Sequence, residues 1–91
     1  IRTRADGALL IPGTLRPDEL FERTRIALPE DNAYDTIGGL VMAQLGRIPM
    51  VGDRATVHSV ILEVEHMQGR RIMQIALYAP DQEDEQPEVQ L

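Results

Sequence analysis

Cysteine is absent from these 91 residues, as are lysine and tryptophan. Without cysteine there are no disulfides, no zinc–thiolate sites and no thiol nucleophile, which suits a reducing compartment. Aromatic residues are limited to Phe21, Tyr34 and Tyr78, so aliphatic packing must hold any core together. No apolar run approaches the roughly 20 residues needed to cross a bilayer; the longest lie around Ala8–Pro12 and Leu40–Ala43. A basic stripe is missing as well. Fifteen acids face nine arginines, for a formal charge of -6, and the arginines are scattered among the acids. Nucleic acid is therefore not an expected partner, nor is direct membrane insertion of this segment.

What is present fits one domain, because a chain of this length with 43% hydrophobic residues supports a single core hiding roughly 60–65% of its unfolded surface. The chain opens at Ile1 rather than methionine, as expected of a piece of a longer protein whose partner lies elsewhere in it.

Along the chain, Asp6-Gly7 marks a turn and Ala8–Ile11 a short strand, closed by Pro12-Gly13, an order that predicts a type II turn. Pro17-Asp18-Glu19 predicts the first turn of a helix, with Leu20, Phe21 and Thr24 on its buried side and Asp18, Glu22 and Arg25 in solvent. Ile26 to Asn32, interrupted by Leu28-Pro29-Glu30-Asp31, reads as a loop. A second helix is expected over Thr36–Leu45, with Asp35 as N-cap, Ile37, Leu40, Val41 and Leu45 on the apolar face and Gly46 as left-handed C-cap. Gly38-Gly39 opposes that helix by about 1 kcal/mol per glycine, which implies close backbone contact with a neighbouring element.

After Gly52-Asp53 the period becomes two. Ala55 and Val57, then Val60, Leu62 and Val64, then Met73, Ile75 and Leu77 alternate with polar or smaller residues, predicting three strands with a hairpin tip at Gln68-Gly69. The break at His58-Ser59 leaves open one long bent strand in place of the first two. From Pro80 the sequence is acidic, with no apolar period. The expected organisation is α+β: a short N-terminal strand and turn, two helices and a three-strand antiparallel meander in a domain over residues 1–79, then an acidic disordered tail over 80–91.

The order and wording of these segments resemble the CorC/HlyC transporter-associated domain. The matching words are Asp6–Gly13, Leu15–Leu20, Leu28-Pro29-Glu30, Tyr34–Val41 and Leu45–Asp53. The unbroken string from Tyr34 to Asp53 carries most of the specificity, and the resemblance runs from about Ala5 to Tyr78. One departure is the reading His58-Ser59-Val60-Ile61-Leu62, where the family usually has a glycine near the turn and an aromatic in the next strand. The resemblance implies a fold like half of certain FAD-binding domains, although a fold does not carry a cofactor with it. It also implies a place at the end of membrane proteins or their relatives, usually after two CBS domains. The function it implies is modulation of ion transport, commonly magnesium and cobalt efflux, on the cytoplasmic side. Upstream CBS domains and a membrane domain are then the expected partners, with a second copy as a further candidate. The family supplies no catalytic residue.

Each constellation with chemical potential also has a structural explanation. Glu63 and Glu65, with His58 and His66 nearby in sequence, suggest a divalent cation, but alternating acids usually form the wet side of a half-buried sheet. Glu30, Asp31 and Asp35 form a second acidic group, in which Asp35 is already explained as a cap. Ser59 beside His58 is no dyad, because neighbours on a strand point to opposite faces. Gly38-Gly39 lies inside a helix and suits packing better than phosphate binding. Arg70-Arg71 reads as a solubilising hairpin end, and the tail as a linker. The expectation is no catalytic residue, no metal ligand, no cofactor and no enzyme. The alternative is a small-ligand sensor for a divalent metal or an adenine nucleotide.

Overall fold

The computed structural model describes residues 1–79; the acidic stretch from Pro80 lies outside the described residues. Strands β1 (Arg2–Thr3) and β2 (Leu9–Pro12) lead into helices α1 (Pro17–Thr24) and α2 (Ile37–Leu45). Strands β3 (Arg54–Val57), β4 (Val60–Gln68) and β5 (Arg71–Tyr78) follow. The strands form one antiparallel sheet in the order β1-β2-β5-β4-β3. The α+β reading holds, including the meander. Two features are added: β1, whose two residues are too few for a periodic signal, and the insertion of β2 beside β5, through Leu9↔Leu77 to Pro12↔Gln74.

The core follows from the period of two. Ala55 and Val57 of β3, Leu62 and Val64 of β4, and Ile75 and Leu77 of β5 are buried and join Ile11 from β2. Leu20 of α1 and Ile37, Leu40 and Val41 of α2 complete the same apolar cluster. Burying each of the Val, Leu and Ile side chains contributes roughly 1.5–3 kcal/mol relative to exposure. On β4 and β5 the pairing passes from Val64↔Ile75 to His66↔Gln74 and then Met67↔Ile72, so it skips Glu65 on one strand and Met73 on the other. These paired irregularities cancel and let the hairpin continue to Gln68↔Arg71.

Several local expectations are corrected. Leu15 donates its amide to Pro12 O (3.1 Å), which puts Pro12 first and Gly13 second in the turn, and Gly13 does not take the positive φ that a type II turn asks of its third residue. Gly13 is needed because a Cβ there would stand 2.0 Å from Ile72 O. Phe21 is 41% exposed while Leu20 is fully buried; the single turn of contact made by α1 leaves Phe21 outside, under the Arg25 guanidinium at 5.2 Å. The N-cap of α2 is Thr36, whose Oγ1 accepts the Gly39 amide at 3.1 Å, rather than Asp35. The β4–β5 tip is Gly69-Arg70, one residue later than predicted, because Gln68 pairs with Arg71. His58 and Ser59 do separate two strands, with positive φ at both (52° and 68°), as a two-residue type I′ hairpin requires.

The close contact implied by Gly38-Gly39 is present. Gly38 donates its amide to Gly13 O at 2.9 Å, and a Cβ on Gly39 would come within 2.9 Å of the Tyr34 Cβ.

Candidate functional site

The open face of the sheet carries a polar network around Tyr78. Arg4, just past β1, donates to Glu65 Oε2 (2.5 Å), Tyr78 OH (2.7 Å) and Asp6 Oδ2 (2.8 Å). On the other side Arg54 pairs with its cross-strand partner Glu63 at 2.9 Å. The two guanidiniums flank the Tyr78 ring, 5.9 and 5.6 Å from its centre. Hydrogen bonds from Arg4 and then from the Ala8 amide hold the Asp6 carboxyl at about 2, down from 3.8. The Arg4 guanidinium is raised above its ordinary range, first by Asp6 and then by Glu65. Glu63 and Glu65 thus share a face as the sequence suggested, but each is matched by an arginine. His58 precedes β4 and His66 lies beyond Glu65, which at about 3.3 Å per residue separates them by roughly 20 Å or more. Among the described residues no three histidines or carboxylates come together as a metal-binding group.

The second acidic group borders one cleft, without closing into a metal-binding group. Glu30, Asp31 and Asp35 line an open cleft of about 220 Å³, joined by Arg16 and Asp18 from the start of α1 and by Tyr34. Part of this polarity is used internally: Asp31 Oδ1 accepts the Ala33 amide (2.9 Å), and Tyr34 OH donates to Pro29 O (2.8 Å). Desolvation, followed by the charges of Asp31 and Glu30, raises the Tyr34 hydroxyl above its usual value. The sequence did not bring Arg16 and Asp18 to this cleft, since only the packing of α1 places them there.

His58 and Ser59 occupy a turn, not a strand, so the face argument against a dyad does not apply to them; both are exposed. Arg70 lies in the hairpin loop and Arg71 opens β5, both exposed. The start of α2 has little left for a phosphate. The amides of Ile37, Gly38 and Gly39 donate to Leu15 O, Gly13 O and Thr36 Oγ1.

The turn between α2 and β3 is a surface that the sequence reading passed over. Ile48, Met50 and Val51 are 48%, 68% and 62% exposed, around the buried Pro49. The backbone beneath them is pinned. Asp53 accepts from Arg47 (2.7 Å) and from the Met50 amide (2.8 Å), which lowers its carboxyl pKa, Arg47 being the larger cause. Gly52 donates to Val64 O (2.8 Å), and Val64 donates back to Asp53 O (2.9 Å). A fixed turn thus holds three neighbouring apolar side chains largely in water, a feature that patches at contact surfaces share. Its signal was the run Ile48-Pro49-Met50-Val51 itself, apolar between polar neighbours. Among the described residues no helix is long and apolar enough to cross a membrane.

Comparison with known proteins places this geometry in context. A family model described as the transporter associated domain, CorC_HlyC, matches residues 2–81. The UPF0053 protein sll0260 of Synechocystis is 38% identical over 72 residues, covering 76% of this chain and 16% of that protein. The UPF0053 inner membrane protein YfjD of Escherichia coli K12 is 29% identical over 73 residues, covering 80% of this chain and 17% of that protein. The chain thus spans about a sixth of the length of the curated relatives it matches. A solved structure described as the transporter associated domain CorC_HlyC from a Xylella fastidiosa Temecula1 hemolysin, in complex with Mg++ and Mn++, superposes with a TM-score of 0.73. It is 34% identical and covers 88% of this chain and 96% of that one.

Proposed function

Because the chain belongs to the CorC_HlyC transporter associated domain family, we propose that it is a non-catalytic regulatory domain of a larger ion-transport protein, acting through contact with the rest of that protein. The observation that carries this reading is the pinned turn bearing Ile48, Met50 and Val51, which stay 48%, 68% and 62% exposed among the described residues. Similarity to an inner membrane protein several times longer supports a membrane-bound parent. Within that reading, residues 1–79 are the working domain and 80–91 an acidic tail. Neighbouring CBS domains on the cytoplasmic side are the surfaces against which the turn packs, and the transported ion is a divalent cation such as magnesium or cobalt.

Met50 provides the test, since an exposed thioether oxidises readily and a covered one does not. Peroxide should convert Met50 to the sulfoxide markedly more slowly in the full-length protein than in this chain alone. Equal rates would remove the turn from any such contact. A companion variant, Ile48→Ser/Val51→Ser, should keep the melting temperature of the domain and alter transport by the full-length protein.

A second reading, direct sensing of a divalent cation, is favoured by the Mg++ and Mn++ in the Xylella structure and by the acidic cleft of Glu30, Asp31 and Asp35. Calorimetric titration of this chain with Mg²⁺ and Co²⁺, with ATP as a nucleotide control, decides it; flat traces end that reading.

A further inference from the structure

The first seven residues join the fold differently from all that follows. Ile1, Arg2, Thr3, Ala5, Asp6 and Gly7 are exposed and Arg4 is half-buried, whereas the core begins abruptly at Ala8, which is fully buried. Strand β1 pairs with β2 alone, through Arg2↔Leu10 and Thr3↔Leu9. Hydrophobic burial, the main source of stability elsewhere in the sheet, contributes little to this segment. Its main long-range side-chain attachment is the Arg4 guanidinium, which reaches past β2 to Tyr78 on β5 and Glu65 on β4, with a longer bond from Tyr78 OH to Asp6 Oδ2 at 3.5 Å. The Arg4 amide adds a bond to Ala8 O at 2.7 Å.

We propose that residues 1–7 form a releasable strap, clamped by Arg4 onto Glu65 and Tyr78, that covers the Leu9–Leu10 part of the outer edge of β2 when closed and exposes it when open. The physical basis is a separation of energy scales. Segments with few buried apolar contacts open at far lower free energy than the core, and a half-exposed ion pair weakens as salt rises. Opening would cost the two β1–β2 pairs and the Arg4 contacts while leaving the apolar cluster intact, since none of its members lies before Leu9. The edge uncovered would be Leu9–Leu10, the stretch that β1 pairs with, where the Leu10 amide and carbonyl face outward. The irregularity at Glu65 is part of the device: the residue skipped by the β4–β5 pairing is the one that meets Arg4. This inference does not rest on the accessory-domain reading, because it concerns the isolated chain.

Residue-resolved hydrogen exchange on this chain tests it. In Arg4→Ala the Arg2 and Arg4 amides, which face β2, should exchange about tenfold faster or more, as expected for loss of a charged hydrogen bond, while core amides of Leu40, Leu62 and Ile75 keep their rates. Glu65→Gln, which retains the side-chain shape, should accelerate the same two amides, and about 1 M salt should do so in the unaltered chain. Unchanged strap amides in both variants would show that Arg4 is not the clamp. Acceleration of strap and core together would show that the segment is an integral strand, and either result overturns the proposal.

Discussion

Gly38, in the first turn of α2, donates its amide to the carbonyl oxygen of Gly13 over 2.9 Å, and a methyl group on Gly38 would stand 2.9 Å from that same oxygen. Gly13 in turn lies against Ile72 of β5. Two glycines from separate parts of the sequence thus let the turn after β2 wedge between helix and sheet.

This wedge leaves no room at Gly13. Gly13→Ala should destabilise by about 3 kcal/mol or more, because the obstacle is the backbone of β5 and not a side chain that can rotate away. Gly69→Asn should stay within about 1 kcal/mol, since its φ of 63° is one that asparagine tolerates and nothing lies near its Cβ. Chemical denaturation of both variants checks the contrast.

Adjacent residues on α1 should behave in opposite ways. Leu20→Ala should cost about 2–5 kcal/mol as a cavity in the apolar cluster. Phe21→Ala should cost about 1 kcal/mol or less, because that side chain is 41% exposed and lies outside the apolar cluster. Similar losses for the two, measured by urea unfolding, would refute the placement of α1.

At the start of α2, Thr36→Ala should cost about 1 kcal/mol through loss of the bond to the Gly39 amide. Asp35→Ala should cost less than half of that. Thermal unfolding of the two variants distinguishes the true cap.

The β3–β4 hairpin holds two ordinary residues in a left-handed conformation, which is costly for any side chain other than asparagine or glycine. Replacing His58-Ser59 with Asn-Gly should therefore raise stability by about 1 kcal/mol, seen as a higher melting temperature with an unchanged fold. No gain would mean that the turn is relaxed in another way.

Acid should loosen the attachment of the N-terminal segment. Asp6 has a lower pKa folded (about 2) than in its ordinary state (3.8), so its contribution is complete above about pH 4 and is lost as pH falls toward 2. Asp6→Asn should melt lower than the unaltered chain at pH 6, and the gap should close by about pH 2. A gap independent of pH would mean that Asp6 acts through its shape alone.

Much of the fold was legible in local pattern. The alternation from Ala55 to Leu77, the spacing of Ile37, Leu40, Val41 and Leu45, and Gly46 beyond them each state which side chains face inward, and the structure buries them accordingly apart from the half-buried Leu45 and Met73. The choice between Asp35 and Thr36 as cap was not legible, because both residue types cap helices and one residue of shift decides which oxygen reaches Gly39. The candidate surfaces were read only in part. Glu63 and Glu65 were put on one face, but their partners come from elsewhere in the chain, Arg54 from β3 and Arg4 from the segment just past β1.

By itself the sequence determined the class of the molecule: the order of helices and strands, an aliphatic core, and the family word from Tyr34 to Asp53. These depend on period and turn chemistry, which act over a few residues. Tertiary structure alone decided that β2 inserts beside β5, that Gly13 meets Ile72 and Gly38, that Arg4 reaches Glu65 and Tyr78, and that the Ile48–Val51 turn is left in water. The first three are contacts between segments far apart in the chain, and the fourth is a surface those contacts leave uncovered. Such contacts are set by how apolar faces pack and by which surfaces remain uncovered afterward, and no local spacing encodes that.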